Sequence, residues 1–271
     1  MWDFEHAPAS TELAVRYRLD WMLPSECADR LAAGDADLGL VPIAALAVNP
    51  RLRILPGCTI ASRDYVRSLL LVRRAHQPLT TIRTVAADTA SRTTIAHTRL
   101  LFHHWGNPRA AFVPMAANLD AMLARADAAI LIGDPALLAL EERANQFERT
   151  GEELVYHDLA HEWRSLSGLP FVSAVWAAAP DIDPRRLDIA AADFIRSRDH
   201  GLAHIELLAS EWSRKMPLDD STIRTYLSEN IHYILDDQCL EGMKCFFRMA
   251  ARAAVLPSYQ PAVPSPTVLS S

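Results

Sequence analysis

The sequence reads as an α/β protein of two lobes with a central cleft, and three observations point there. Short β-branched and apolar runs alternate with helical periods along the first two thirds of the chain, as in sheets covered by helices. That alternation occurs once over residues 13–47 and again over 84–140, with a polar stretch between them. The chain then turns helical from Pro184, so that a second passage returns it from the later sheet to the earlier one.

The first segment, WDFEH, has the bulk of an element's interior, and residues 13–21 alternate as a strand would. Pro24 and Ser25 open a helix over 26–33 that Gly34 closes. Residues 37–42, DLGLVP, read as a buried strand and 43–47 as a short helix. Extended pieces follow at 53–55 and 59–62 on either side of Pro56-Gly57, and 66–72, VRSLLLV, has the clearest pattern of a long strand. The polar run containing His76, Gln77, Pro78 and Thr81 is expected to cross between lobes. Strands at 84–87, 111–114 and 128–132 alternate with helices starting at Thr93 and Asn118, and Gly133-Asp134-Pro135 closes that series. Two more strands, 155–158 and 171–178, flank HEWRSLSGLP, read as a loop. Helices are expected at 184–197, 202–215, 219–230 and 236–254. The lobes are then 1–73 with 172–256, and 74–171; the Pro/Ser-rich 257–271 reads as a disordered tail.

Half of the 271 residues are hydrophobic and 22% are charged, enough for a substantial core. A formal charge of −6 excludes a general nucleic-acid binder, which needs basic excess to displace counterions. No apolar run reaches the roughly 18 residues of a membrane span, so no membrane partner is expected. Cys27, Cys58, Cys239 and Cys245 show no CxxC spacing and no paired histidines. They read as reduced thiols in a cytoplasmic protein without a metal site. His97, His103 and His104 share a helix without a carboxylate at ligand spacing, which points the same way.

The chemistry concentrates at TVAADTASRTTIAHTRLLF, residues 84–102: strand, polar turn, helix. A helix start presents unpaired N–H groups and partial positive charge. Ser91, Arg92, Thr93 and Thr94 crowd the same place, so the turn suits a carboxylate or phosphate, or simply caps its own helix. Ser25, Ser62, Ser91 and Gly133-Asp134 all fall at carboxyl ends of strands, where ligands of such sheets sit. Arg63 and Arg67 flank the strand that leads to the crossing and read equally as surface charges, while Asp158, His161 and Glu162 form either an acid–base cluster or hinge polar groups.

DLGLVPIAAL, ILPGCTIASRDYVRSLLLV, TVAADTASRTTIAHTRLL, AAILIGDPAL and DLAHEWRSLSGLPFVSAVWA together resemble the MqnA/MqnD family of the futalosine menaquinone pathway. The turn DTASRTT and the EWRSLSGLPFVSAVW block are similar to the MqnA branch, the chorismate dehydratases. The resemblance implies a type II periplasmic-binding-protein-like fold used as an enzyme. Its substrate would be chorismate, converted to 3-(1-carboxyvinyloxy)benzoate and water with no metal or organic cofactor. Substrate contacts would come from Ser25, Ser62, Ser91, Arg92, Thr93, Gly133 and Asp134, with the substrate's own carboxylate a possible base. Family members open with a strand and a turn resembling SYLNTxPL ahead of the WDFEH-like segment. This chain starts at Met1-Trp2, so the turn's asparagine has no counterpart in it, and the resemblance implies an interior gap in the first sheet. Alternatives in the same fold are 1,4-dihydroxy-6-naphthoate synthase and a non-catalytic binding protein.

Overall fold

The computed structural model describes residues 1–88 and 92–262. Two sheets organise them. In the first, β1 (Leu38–Pro42), β8 (Phe171–Ala178), β2 (Arg53–Ser62) and β9 (His232–Ile234) lie in that order, antiparallel throughout. The second runs β5 (Ala111–Pro114), β4 (Thr84–Ala87), β6 (Ala128–Ile132), β3 (Leu69–Arg74), β7 (Leu154–Asp158). Parallel pairing occurs only at β5–β4 and β4–β6; β3 runs against the other four strands and pairs antiparallel with both β6 and β7. The alternation of strand and helix thus identifies the parallel core of one sheet and not the antiparallel remainder.

Strand alternation sorts side chains into separate cores. Leu70 and Val72 of β3 face one way, with Met122 of α6 (Leu119–Leu123) and Ala136 of α7 (Asp134–Glu141). Leu69 and Leu71 face the other way and join Val85, Ile130 and, from α5 (Arg92–His104), Leu100, Leu101 and Phe102. This second core continues unbroken into the first sheet through Val41, Ile54, Val175 and Ala177. Trp163 of α9 (Leu159–Ser167) and Phe246 and Phe247 of α13 (Asp237–Arg252) belong to it too. The far face of the first sheet carries Leu55 and Ala178 against Phe4 of α1 (Trp2–Glu5) and Phe194 of α10 (Pro184–Ala203). Each such buried Leu, Ile, Val, Met or Phe side chain contributes about 1.5–3 kcal/mol. α3 (Pro24–Ala33) approaches β1 so closely that a Cβ on Gly39 would meet Cys27 Sγ, and Gly34, at φ 82°, ends that helix.

Several expectations are corrected. Residues 13–21 form no strand: α2 (Ala9–Leu13) ends there, and Val15 and Trp21 are exposed, so their alternation buries nothing. Pro56-Gly57 does not split β2; the strand runs through with an irregular register between Ile54 and Thr59. The strand expected at 66–72 starts at Leu69 and pairs in the second sheet, which moves residues 69–73 out of the first lobe and puts the crossing at 63–68 rather than in the polar run at 76–81. HEWRSLSGLP is mostly helix, capped by Asp158. The first sheet has no interior gap, being paired through from β1 to β9, with β1 at one edge. Helices α11 (Ile205–Ser213) and α12 (Asp220–Thr225) bury Ala209 and Ile223 against Leu137 of α7, so they serve the second sheet. Residues 257–262 carry no helix or strand; the remainder of the expected tail lies outside the described residues.

One carboxylate fastens the crossing. Asp158 Oδ2 accepts from the N–H of Val66 (3.0 Å) and of Arg67 (2.6 Å), and Oδ1 accepts from the N–H of Ala160 (3.0 Å) and of His161 (3.2 Å). Burial raises its pKa against the opposing pull of those four donors. Asp158→Asn puts an amide NH2 where one pair of N–H groups points. It should lower stability by about 2–4 kcal/mol in urea denaturation; a loss below about 0.5 kcal/mol would show that the crossing is held by other contacts.

His97 of α5 is fully buried, stacks on Phe171 at 4.2 Å and meets Trp163 and Phe246 edge-on. Among the described residues neither ring nitrogen has a hydrogen-bond partner, and burial pushes its pKa down to about 3. The unfolded chain therefore binds the proton first as pH falls. Stability should drop below about pH 6.5 by roughly 1.4 kcal/mol per unit from this group until about pH 3. His97→Leu should remove that slope, as denaturation at pH 4.5 and pH 7 measures; an unchanged slope would contradict the assignment.

Candidate functional site

Strand register brings the polar turns to one side of the molecule. Pro42 and Ser62, the last residues of β1 and β2, lie opposite Ala174 and Phe171 near the start of β8. In the second sheet Ala87 lies beside Ile130, Leu69 opposite Ile132 and Leu70 opposite Asp158. The carboxyl ends of β1, β2, β4, β6 and β7 thus share the side on which the chain crosses between sheets, the position at which α/β sheets bind ligands.

Two groups of predicted residues are built there. In the first, the Arg92 guanidinium grips Asp29 of α3 with two bonds, Nη1 to Oδ1 at 2.9 Å and Nη2 to Oδ2 at 2.7 Å. This pairing holds the Asp29 carboxyl below the usual carboxylate range. Both side chains are substantially exposed, so the pair contributes at most about 1 kcal/mol. Thr93 is fully buried, and its Oγ1 accepts from the N–H of Ala44 at 3.1 Å, at the start of α4 (Ile43–Val48). The Thr93 side chain, expected among the anion contacts, is thus enclosed and bonded to the start of a neighbouring helix. Ser25, half-buried, is one turn ahead of Asp29 on α3. Ser91 lies outside the described residues.

In the second group, the Ser62 hydroxyl donates to the carbonyl of Asp64 at 3.0 Å and accepts its N–H at 3.3 Å, shaping the crossing. Gly133, at φ 69° and ψ −138°, donates to the Ser68 carbonyl at 2.7 Å and starts α7, leaving the Asp134 side chain exposed. A backbone so far into positive φ favours glycine there. The Tyr226 hydroxyl donates to Ser68 Oγ at 3.0 Å, and burial raises its pKa.

The acid–base cluster at 158–162 comes apart into separate pairs. Asp158 is the clamp described above. His161 Nδ1 lies 2.7 Å from Asp64 Oδ1, and its ring stacks on Tyr65 at 4.1 Å. Glu162 bonds His157 Nδ1 at 2.8 Å, while Arg73 donates to His157 Nε2 at 3.0 Å. The Asp64–His161 pair was not legible as such, because its members stand 97 residues apart. Arg63 pairs with Asp236 and Arg67 with Glu141, so both flanking arginines are engaged.

A cavity of about 880 Å³ lies elsewhere, along the open edge of β1, with Phe4, Tyr17, Leu40, Trp176 and Phe194 in its wall. Among the described residues none of the predicted contacts lines it. Among the described residues no helix is long and apolar enough to cross a membrane.

A sequence profile of the family described as menaquinone biosynthesis matches residues 3–252. A chorismate dehydratase from Thermus thermophilus is 27% identical over 239 residues, 85% of each chain. Among solved structures, a protein from Archaeoglobus fulgidus superposes with a TM-score of 0.64 at 15% identity, covering 89% of this chain and 87% of that one. The alkanesulfonate-binding protein SsuA from Xanthomonas axonopodis pv. citri gives 0.60 at 16%, over 92% of this chain and 86% of its own. These structural likenesses establish the periplasmic-binding-protein-like fold.

Because Thr93 satisfies a buried N–H, Thr93→Val should cost about 1–3 kcal/mol in thermal or urea unfolding, whereas Thr93→Ser should cost less than half as much. Equal losses in the two variants would show that volume and not the hydroxyl matters.

Proposed function

The chain belongs to the menaquinone-biosynthesis family, and from that premise we propose that it is a chorismate dehydratase of the cytoplasm. The observation that carries the reading is the similarity to the Thermus thermophilus enzyme, which extends over 85% of both chains. The reaction breaks the ring C–H at the ether-bearing carbon and the neighbouring C–OH bond. The C–H electron pair becomes the new ring double bond, and hydroxide leaves with a proton as water. Aromatisation supplies the driving force. The protein's tasks are to hold a dianion, keep water out and direct one proton.

Arg92 is the proposed contact for one carboxylate, exchanging Asp29 for substrate. Such a swap replaces one charge-assisted pair by another and suits a site that must release its ligand. Asp134, exposed at the start of α7, is proposed to orient the departing hydroxyl. Ser62 and Gly133 then act through the shape of the crossing, and Thr93 through α4.

Two substitutions separate this reading from surface pairing. With chorismate loss followed by ultraviolet absorbance, Arg92→Ala should raise KM about 10–100-fold. Asp29→Asn, which removes the internal competitor, should leave KM unchanged or lower it. A KM that stays at the parent value in Arg92→Ala, or that rises equally in both variants, would remove the anion-contact role. No turnover of chorismate by the parent protein would overturn the dehydratase reading itself.

A further inference from the structure

Next to the crossing, outside the residues assigned above to substrate, three chemically different donors converge. His232 sits in β9 opposite Ala61 of β2, Asp236 caps α13, and Cys239 lies in that helix's first turn. His232 Nε2 is 3.0 Å from Asp236 Oδ2, and one donor atom from each of the three residues lies within 4.8 Å of the others. The cap bond occupies only Asp236 Oδ1, which accepts from the Cys239 N–H at 2.9 Å, so Oδ2 is the oxygen turned toward the histidine. We propose that His232, Asp236 and Cys239 form a three-ligand site for a divalent transition-metal ion of the zinc class.

The donor set is chemically selective. A thiolate and an imidazole favour zinc, cobalt(II) or copper over magnesium or calcium, and the carboxylate brings the ligand charge to balance a dication. Tetrahedral coordination at about 2.0–2.3 Å puts ligand atoms about 3.3–3.6 Å apart, so from separations within 4.8 Å the set contracts by up to about 1.5 Å. The fourth position is left to water. Spacing supports the same reading: residues 232, 236 and 239 hang on one short strand–cap–helix unit whose backbone is already fixed by the Asp236 cap. Cys239 is buried beside the Asp236 carboxylate. A bound ion would take it as thiolate and release the proton.

One group opposes the ion. Arg63 Nη2 lies 2.9 Å from the same Asp236 Oδ2. Its guanidinium both occupies the oxygen and repels a dication. The ion must displace Arg63, the first residue of the crossing, which couples the site to the passage between sheets.

That competition makes the proposal testable. Metal-free full-length protein titrated with cobalt(II) should develop thiolate-to-cobalt charge-transfer absorption that saturates at one equivalent and is abolished by zinc. Arg63→Gln should bind about tenfold more tightly. His232→Gln should bind about 10–100-fold more weakly, and Cys239→Ser should lose the absorption. Absence of the band, its survival in Cys239→Ser, or an affinity unchanged in Arg63→Gln would overturn the site. Should Cys239→Ser melt without cobalt at a temperature that shows misfolding, His232→Gln decides, because its ring is only partly buried. Parent affinity in that variant would refute the assignment.

Discussion

Two sheets of different character are held in one arrangement by a carboxylate at their junction. Asp158 gathers N–H groups from the outgoing crossing, at Val66 and Arg67, and from the first turn of α9 on the return path. Those donors would otherwise be orphans, two in a tight passage and two at a helix start. By satisfying them together Asp158 fixes where β3 enters the second sheet and where α9 leaves it. The placement of Ser62, Ser68 and Gly133 follows, because each is bonded to the same crossing or its immediate neighbour. Behind this polar clamp a single apolar core, carried by α5, α9 and α13, runs from one sheet to the other.

A net negative protein that handles a dianion must supply positive potential locally. On the proposed assignment it comes from helix starts and Arg92 rather than from overall charge. Arg92 is already matched to Asp29, which keeps the guanidinium oriented and its charge compensated when no substrate is present. A carboxylate bound there as proposed would replace an interaction of similar strength instead of neutralising a bare cation. The same logic governs Asp236, whose single oxygen serves His232 and Arg63 at once.

Much of the fold was legible because its strands are short, apolar and bounded by turn residues. β4, β5, β6 and β8 begin and end where residues 84–87, 111–114, 128–132 and 171–178 do. Misreadings arose where local pattern and tertiary burial part company. Residues 13–21 alternate, yet the Tyr17 hydroxyl is drawn to Asp193 on α10 and the neighbouring apolar residues stay in solvent. The α9 segment looks like a loop for its serines and glycine. Asp158 as cap and Leu159, Trp163 and Leu166 at helical spacing were nonetheless signals of an amphipathic helix. That β3 belongs to the second sheet is a fact of long-range pairing, which periodicity does not carry. The candidate site divides the same way: DTASRTT marks a polar turn expected to hold an anion, whereas the partners of Arg92 and Thr93, Asp29 and Ala44, are far away in sequence.

The dehydratase reading is tested most directly by mass spectrometry of what the protein makes from chorismate. A product lighter than chorismate by one water, with an aromatic ring and the carboxyvinyl ether still attached, is the predicted result. Chorismate recovered unchanged, or an aromatic product that has lost the enolpyruvyl group, would contradict it.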